Sequence, residues 1–181
     1  FVGGDLTKWK TGKVTNMYAS FYGTPFNGDV STWDVSRVTE MSSVFALTSE
    51  FNSDISAWNV GNLVYAGSMF KAAQKFNSDI SKWNTGKIQN MGQMFRSTPV
   101  FNGNISKWDV GQVTSMEFVF DSTSEFNSDI SAWNVGKVTR AVNMFASAQK
   151  FNSDISKWNT GKIQRMYSMF AGTPVFNGNI S

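Results

Sequence analysis

The chain has 181 residues, 41% of them hydrophobic and 15% aromatic, carries a formal net charge of +3, and contains neither cysteine nor histidine. That is ample for a packed core, but it excludes disulfides and thiolate metal sites, removes the commonest general base and transition-metal ligand, and falls short of the basic charge typical of a dedicated nucleic-acid binder. No run of about 18 apolar residues is long enough to span a membrane, no signal peptide is visible, and a start without Met is what a removed leader would leave.

In chain order, the first unit opens irregularly with Phe1-Val2-Gly3-Gly4-Asp5-Leu6, and Trp9 stands one residue out of register with the later tryptophans. From there a 25-residue unit recurs. Phe26, Phe51, Phe76, Phe101, Phe126, Phe151 and Phe176 mark its start, Trp33, Trp58, Trp83, Trp108, Trp133 and Trp158 its strand, and a second series from Phe21 and Phe45 to Phe170 its end. Self-similarity at such a period signals a repeat architecture in which each coil buries its apolar side on its neighbours. The expectation is one array over 1–181, with coils starting near 1, 26, 51, 76, 101, 126 and 151 and a partial coil at 176–181. Polar capping repeats are missing at both ends, so a fragment of a longer array is expected.

The coil beginning at Phe76 shows the predicted elements. Ile80 to Thr85 alternates as a short strand would, with Trp83 and Thr85 on one side. Gly86 marks a turn. Ile88, Met91, Met94 and Phe95 then follow a helical spacing, which predicts a short helix with Thr15, Thr39, Thr114 and Thr139, or Gln89 and Gln164, at the N-cap.

Stacked coils turn each position into a column. The strand alternation places the tryptophans in the core rather than on an exposed track for sugars, and the methionines beside them act as filler. Asn27 and its equivalents to Asn177 are expected to be buried and to bond the backbone of the neighbouring coil. The Asp29, Asp54, Asp79, Asp129 and Asp154 column reads as turn capping; one carboxylate per coil is too few for calcium. A longer period of 75 residues relates Phe76–Val100 to Phe151–Val175, which differ only at Asn90/Arg165, Gly92/Tyr167, Gln93/Ser168, Arg96/Ala171 and Ser97/Gly172. These positions read as solvent-facing drift after a segmental duplication.

Three outward features are candidates for function. Lys13, Arg37, Lys87, Lys137 and Lys162 form a basic column that could hold an anionic ligand, with Lys8, Lys82, Lys107 and Lys157 as a second stripe. Tyr18, Tyr65, Phe118 and Tyr167 are aromatics outside the core positions and are candidate partner contacts. Asn104 and Asn179 lie in sequons that carry sugar only in a secreted eukaryotic protein. Catalysis needs a unique constellation of unlike groups, and a repeating surface without His or Cys offers none, so neither an enzyme nor a cofactor is expected.

The string Phe126-Asn127-Ser128-Asp129-Ile130-Ser131-Ala132-Trp133-Asn134-Val135-Gly136-Lys137-Val138-Thr139 resembles the repeat of BspA-like surface proteins, usually grouped with leucine-rich repeats, and the likeness covers the whole chain. Ala66 and Ala141 depart from it where Met is expected. The resemblance implies an α/β repeat fold, a right-handed leucine-rich-repeat-like β/α solenoid of about seven coils, each with a short strand and a short helix. It implies a non-catalytic protein at the cell surface or outside the cell that adheres to a protein or glycan. The alternative is a structural subunit of an extracellular filament, since uncapped coils could stack head to tail.

Overall fold

The computed structural model describes residues 5–178, and in it the units stack in register. Parallel bridges link Asn16 to Glu40, Glu40 to Tyr65, Tyr65 to Asn90, Asn90 to Ser115, Ser115 to Arg140 and Arg140 to Arg165. The first step spans one residue fewer than the others, because the chain passes from Phe21 to Phe26 with one residue fewer than from Phe45 to Phe51. Trp9 and Lys13 are out of register for that reason.

The expected α/β architecture is corrected. Among the described residues there is no α-helix and no strand beyond the single bridged residue of each coil; the coil is a succession of turns. The predicted strand over 80–85 does not form because side chains pinch the backbone at both ends. Asp79 Oδ1 accepts from Ser81 N at 2.9 Å and Asn84 Oδ1 from Gly86 N at 3.3 Å, and Trp83 N folds back to Ile80 O at 3.2 Å. Asn, Asp and Ser offer the backbone this local alternative to a ladder. The inter-coil pairing falls later, at Asn90.

The predicted helix fails in a different way. Met94 N, Arg96 N and Thr98 N bond back three residues, to Met91 O, Gln93 O and Phe95 O, whereas Met91 N, Gln93 N, Phe95 N and Ser97 N donate to the next coil at Ser115 O, Glu117 O, Val119 O and Asp121 O. Amides thus alternate between a local turn and the neighbouring coil. Gln93 and Ser97 hold φ of 60° and 55°, in the left-handed region that an α-helix cannot contain. Eight or so residues including Gly92, Ser97 and Thr98 make a marginal helix, and the next coil supplies every second amide with an acceptor. The buried positions of this ribbon are Met91, Met94, Phe95 and Thr98. That spacing matches the stripe of an amphipathic helix, so periodicity could not separate the two.

The interior consists of aromatic columns. The closing Phe of each unit stacks on the opening Phe of the next, Phe45 on Phe51 at 3.7 Å, Phe70 on Phe76 at 3.8 Å and Phe95 on Phe101 at 4.0 Å; along its own column, Phe95 meets Phe70 and Phe120 at 5.8 Å. Trp33 to Trp158 are buried, and each indole N–H reaches a carbonyl of the previous coil, as Trp108 Nε1 does to Ile80 O at 3.0 Å. An indole donor needs such a partner when buried. Trp9 is 57% exposed and Met166 is 52% exposed, so these two do not serve as core filler in the described chain.

The asparagine column is a second ladder, but an exposed one. Asn52 N donates to Asn27 Oδ1, Asn77 N to Asn52 Oδ1, Asn102 N to Asn77 Oδ1, Asn127 N to Asn102 Oδ1 and Asn152 N to Asn127 Oδ1, at 2.8–3.0 Å. The expected bonding to the neighbouring coil forms, without the expected burial. The predicted N-cap threonines bond along the stack as well: Thr139 Oγ1 donates to Thr114 O at 3.2 Å.

Candidate functional site

The turn ribbon faces outward on one side, and its backbone carries its own inter-coil hydrogen bonds. Some side chains add to these bonds, as Asn90 Oδ1 does by accepting from Gly92 N at 2.9 Å. Ser43 N, Ser68 N, Gln93 N, Phe118 N and Asn143 N donate in turn to the carbonyls of Gly67, Gly92, Glu117, Val142 and Tyr167. These bonds define an outer column that runs Tyr18, Ser42, Gly67, Gly92, Glu117, Val142, Tyr167. Where it narrows to Ser42, Gly67 and Gly92, the surface sinks into an open groove of about 280 Å³, walled by Asn90, Ser115 and Arg140 on one side and Ser68, Gln93 and Phe118 on the other.

Neither glycine is required by the backbone, and packing does not require the one at 67. Neither has a positive φ, and a Cβ would meet only ordinary contacts at Gly67, with nothing closer than 3.6 Å, and an Asn90 Oδ1 at 3.3 Å for Gly92. One long period later the same positions are Val142, buried, and Tyr167, 67% exposed. The groove therefore exists because side chains are missing at two positions that accept them.

The groove's charges are balanced. Glu117 Oε2 lies 3.7 Å from Arg140 Nε and takes a long hydrogen bond, 3.5 Å, from Ser115 Oγ. Arg96 sits over the Phe118 ring, 4.7 Å from its centroid, and is itself held by Asp121 at 2.9 Å. The site presents hydroxyls, amides, one carboxylate, one guanidinium and a half-buried aromatic ring. These groups offer hydrogen-bond donors and acceptors with little net charge.

The partner-contact aromatics share this face without forming one cluster. Phe118 lines the groove, Tyr65 occupies the bridge column between Glu40 and Asn90, and Tyr18 and Tyr167 stand toward opposite ends of the groove column. Lys13, Arg37, Lys87, Lys137 and Lys162 are all exposed in one column. Asn62 and Gln112 interrupt it, and their side-chain oxygens accept from Lys87 Nζ and Lys137 Nζ at 2.6 Å. Asn104 is exposed, and its Oδ1 takes the Ser106 amide at 3.1 Å, the turn bond that Asp makes in other coils; Asn179 lies outside the described residues. Asp54, Asp79, Asp129 and Asp154 have their pKa held below the ordinary carboxylate value by the backbone N–H of the serine two residues on, and then by its hydroxyl. Among the described residues no three acidic, His or Cys side chains gather as metal ligands, and no helix is long and apolar enough to cross a membrane.

Sequence reading missed Ser42, Gly67, Asn90, Gly92, Ser115, Glu117 and Arg140 as a group. The available signal was the Gly92/Tyr167 difference, which reads as drift until both glycines are seen in one column.

The sequence pattern of a known family, described as "Mycoplasma protein of unknown function, DUF285", matches residues 1–105 and again 69–181. The two matches together cover the whole chain. The chain belongs to this DUF285 family. The recurring aromatic unit is thus a family repeat, and the groove is a feature built on it. No curated protein and no solved structure matches the chain.

Proposed function

We propose that this DUF285 chain is a non-catalytic binding module, displayed at the cell surface or outside the cell, whose ligand lies in the Ser42–Arg140 groove. The resemblance of the repeat to that of BspA-like surface proteins supports the surface setting. The observation that carries the site is the pair of glycines, Gly67 and Gly92, which open a trough where the same fold accepts Val and Tyr. A line of hydroxyls and amides, a carboxylate already balanced by a guanidinium, and an aromatic ring edge suit the hydroxyl-rich surface of a neutral oligosaccharide. Such groups fix orientation in ligand sites. The length of the groove, running across several coils, suits a chain of sugars rather than a single one.

Titration calorimetry and arrayed neutral glycans test the reading. Binding is expected for the native chain and is expected to vanish in the Gly67→Val, Gly92→Tyr double variant. Retention of an extended polypeptide in place of any glycan would move the ligand class to protein. Equal binding by native and double variant would remove the groove from the function. Spontaneous fibres of the purified chain in electron micrographs would favour the structural-filament alternative.

A further inference from the structure

We infer that Asn102-Gly103, and with it Asn27-Gly28, are sites of spontaneous deamidation in the folded chain. Asparagine is among the thermolabile residues, and three features of the asparagine ladder bear on these two. First, both asparagines are exposed. Second, Asn102 Oδ1 accepts the main-chain N–H of Asn127 at 2.8 Å, and Asn27 Oδ1 accepts that of Asn52 at 2.8 Å together with the Ser53 hydroxyl at 3.1 Å. A donor fixed on a carbonyl oxygen stabilises the negative charge that develops there when the carbon is attacked. Third, the next residue is glycine, and Gly103 N makes no hydrogen bond to any described residue, so its amide is available as the attacking group. The other ladder residues followed in this chain by serine, such as Asn77 and Asn127, share the Oδ1 donor but carry a Cβ beside the attacking nitrogen.

The step balances without a cofactor. Gly103 N forms a bond to Asn102 Cγ, the Cγ–Nδ2 bond breaks, and Nδ2 departs as ammonia with the proton given up by Gly103 N. Water then opens the resulting five-membered imide at either carbonyl, leaving aspartate or isoaspartate at position 102. Aspartate keeps an acceptor for Asn127 N and adds one negative charge. Isoaspartate adds a methylene to the main chain at a position where every coil is in register, and so breaks that rung.

Incubation of the folded chain in mildly alkaline buffer, followed by peptide mass mapping at low pH, tests this. Asn102 and Asn27 are expected to convert on the order of tenfold faster than the Asn-Ser rungs, equivalent to a barrier lower by about 1.4 kcal/mol. Gly103→Ser, the residue of the sister coils and hence compatible with the fold, is expected to protect Asn102. Ser78→Gly is expected to render Asn77 labile. Conversion seen only in a urea-unfolded control, or equally at Asn-Gly and Asn-Ser rungs of the folded chain, overturns the inference.

Discussion

The coils over 51–100 and those over 126–175 carry the same Phe-Asn-Ser-Asp-Ile-Ser segments and differ only between 62 and 72 and between 90 and 97, counted in the first set. The difference follows from how each part satisfies its backbone. In the segment around the asparagine ladder, main-chain amides are satisfied by side chains: Asn27 Oδ1 for Asn52 N, Asp54 Oδ1 for Ser56 N. Changing the residue to one without a side-chain acceptor removes the bond. On the turn ribbon, carbonyls of the next coil satisfy every second amide, and the side-chain bond from Asn90 to Gly92 N belongs to a position that is Arg165 one long period later, so Gly, Ser, Val and Tyr all fit. The repeat is therefore strict where side chains build it and free where the backbone does, and the groove lies on the free face.

The strongest way to test that contrast is in the core. Phe95→Ala is expected to cost about 3–5 kcal/mol, because the ring is fully buried between Phe70, Phe101 and Phe120. The equivalent Phe170→Ala, at a partly buried ring, is expected to cost less in the same urea titration; equal losses would mean that the coils do not stack as described. Next comes the ladder. Asn77→Ala leaves Asn102 N without its acceptor and is expected to lose about 1 kcal/mol, whereas Asn77→Asp keeps an acceptor and most of the stability.

Acid should act on the same strict segments. The Asp54, Asp79, Asp129 and Asp154 carboxylates have folded pKa values below their unfolded ones, so the unfolded chain binds more protons as pH falls. Their contribution is present above the unfolded value of about 3.9 and is lost as pH drops through the lower folded value. Thermal melts are expected to decline below about pH 4, and Asp54→Asn is expected to flatten that slope while retaining the turn, as Asn104 does in its coil. The smallest stability change is expected for Gly67→Val with Gly92→Tyr, within about 0.5 kcal/mol, because these half-buried positions hold Val142 and Tyr167 one long period later. A large loss there would show that the glycines are needed by the fold and would end their reading as a ligand site.

Much of the molecule was legible in its sequence, and some of it could not be. The Trp column read as core because it alternates with polar neighbours, and burial of Trp58 to Trp133 agrees. The Met91, Met94, Phe95 spacing read as helix because a ribbon of turns buries residues at the same intervals. The basic column from Lys13 to Lys162 was visible, but its interruption by Asn62 and Gln112 acquired meaning only when both were seen to accept from the lysines of the next coil. The groove was invisible because its residues belong to several coils and are neighbours only in space.

By itself the sequence determined the period, the membership of the core columns, and the side chains that would bond along the stack, because each depends on residue type at a fixed interval. Only the tertiary structure decided that the coils contain turns and not helices or strands, since that depends on where every second amide finds its acceptor, and the acceptor is in the next coil. It also decided that two unremarkable glycines open a groove, because an absent side chain has consequences only among the neighbours that fail to fill its place.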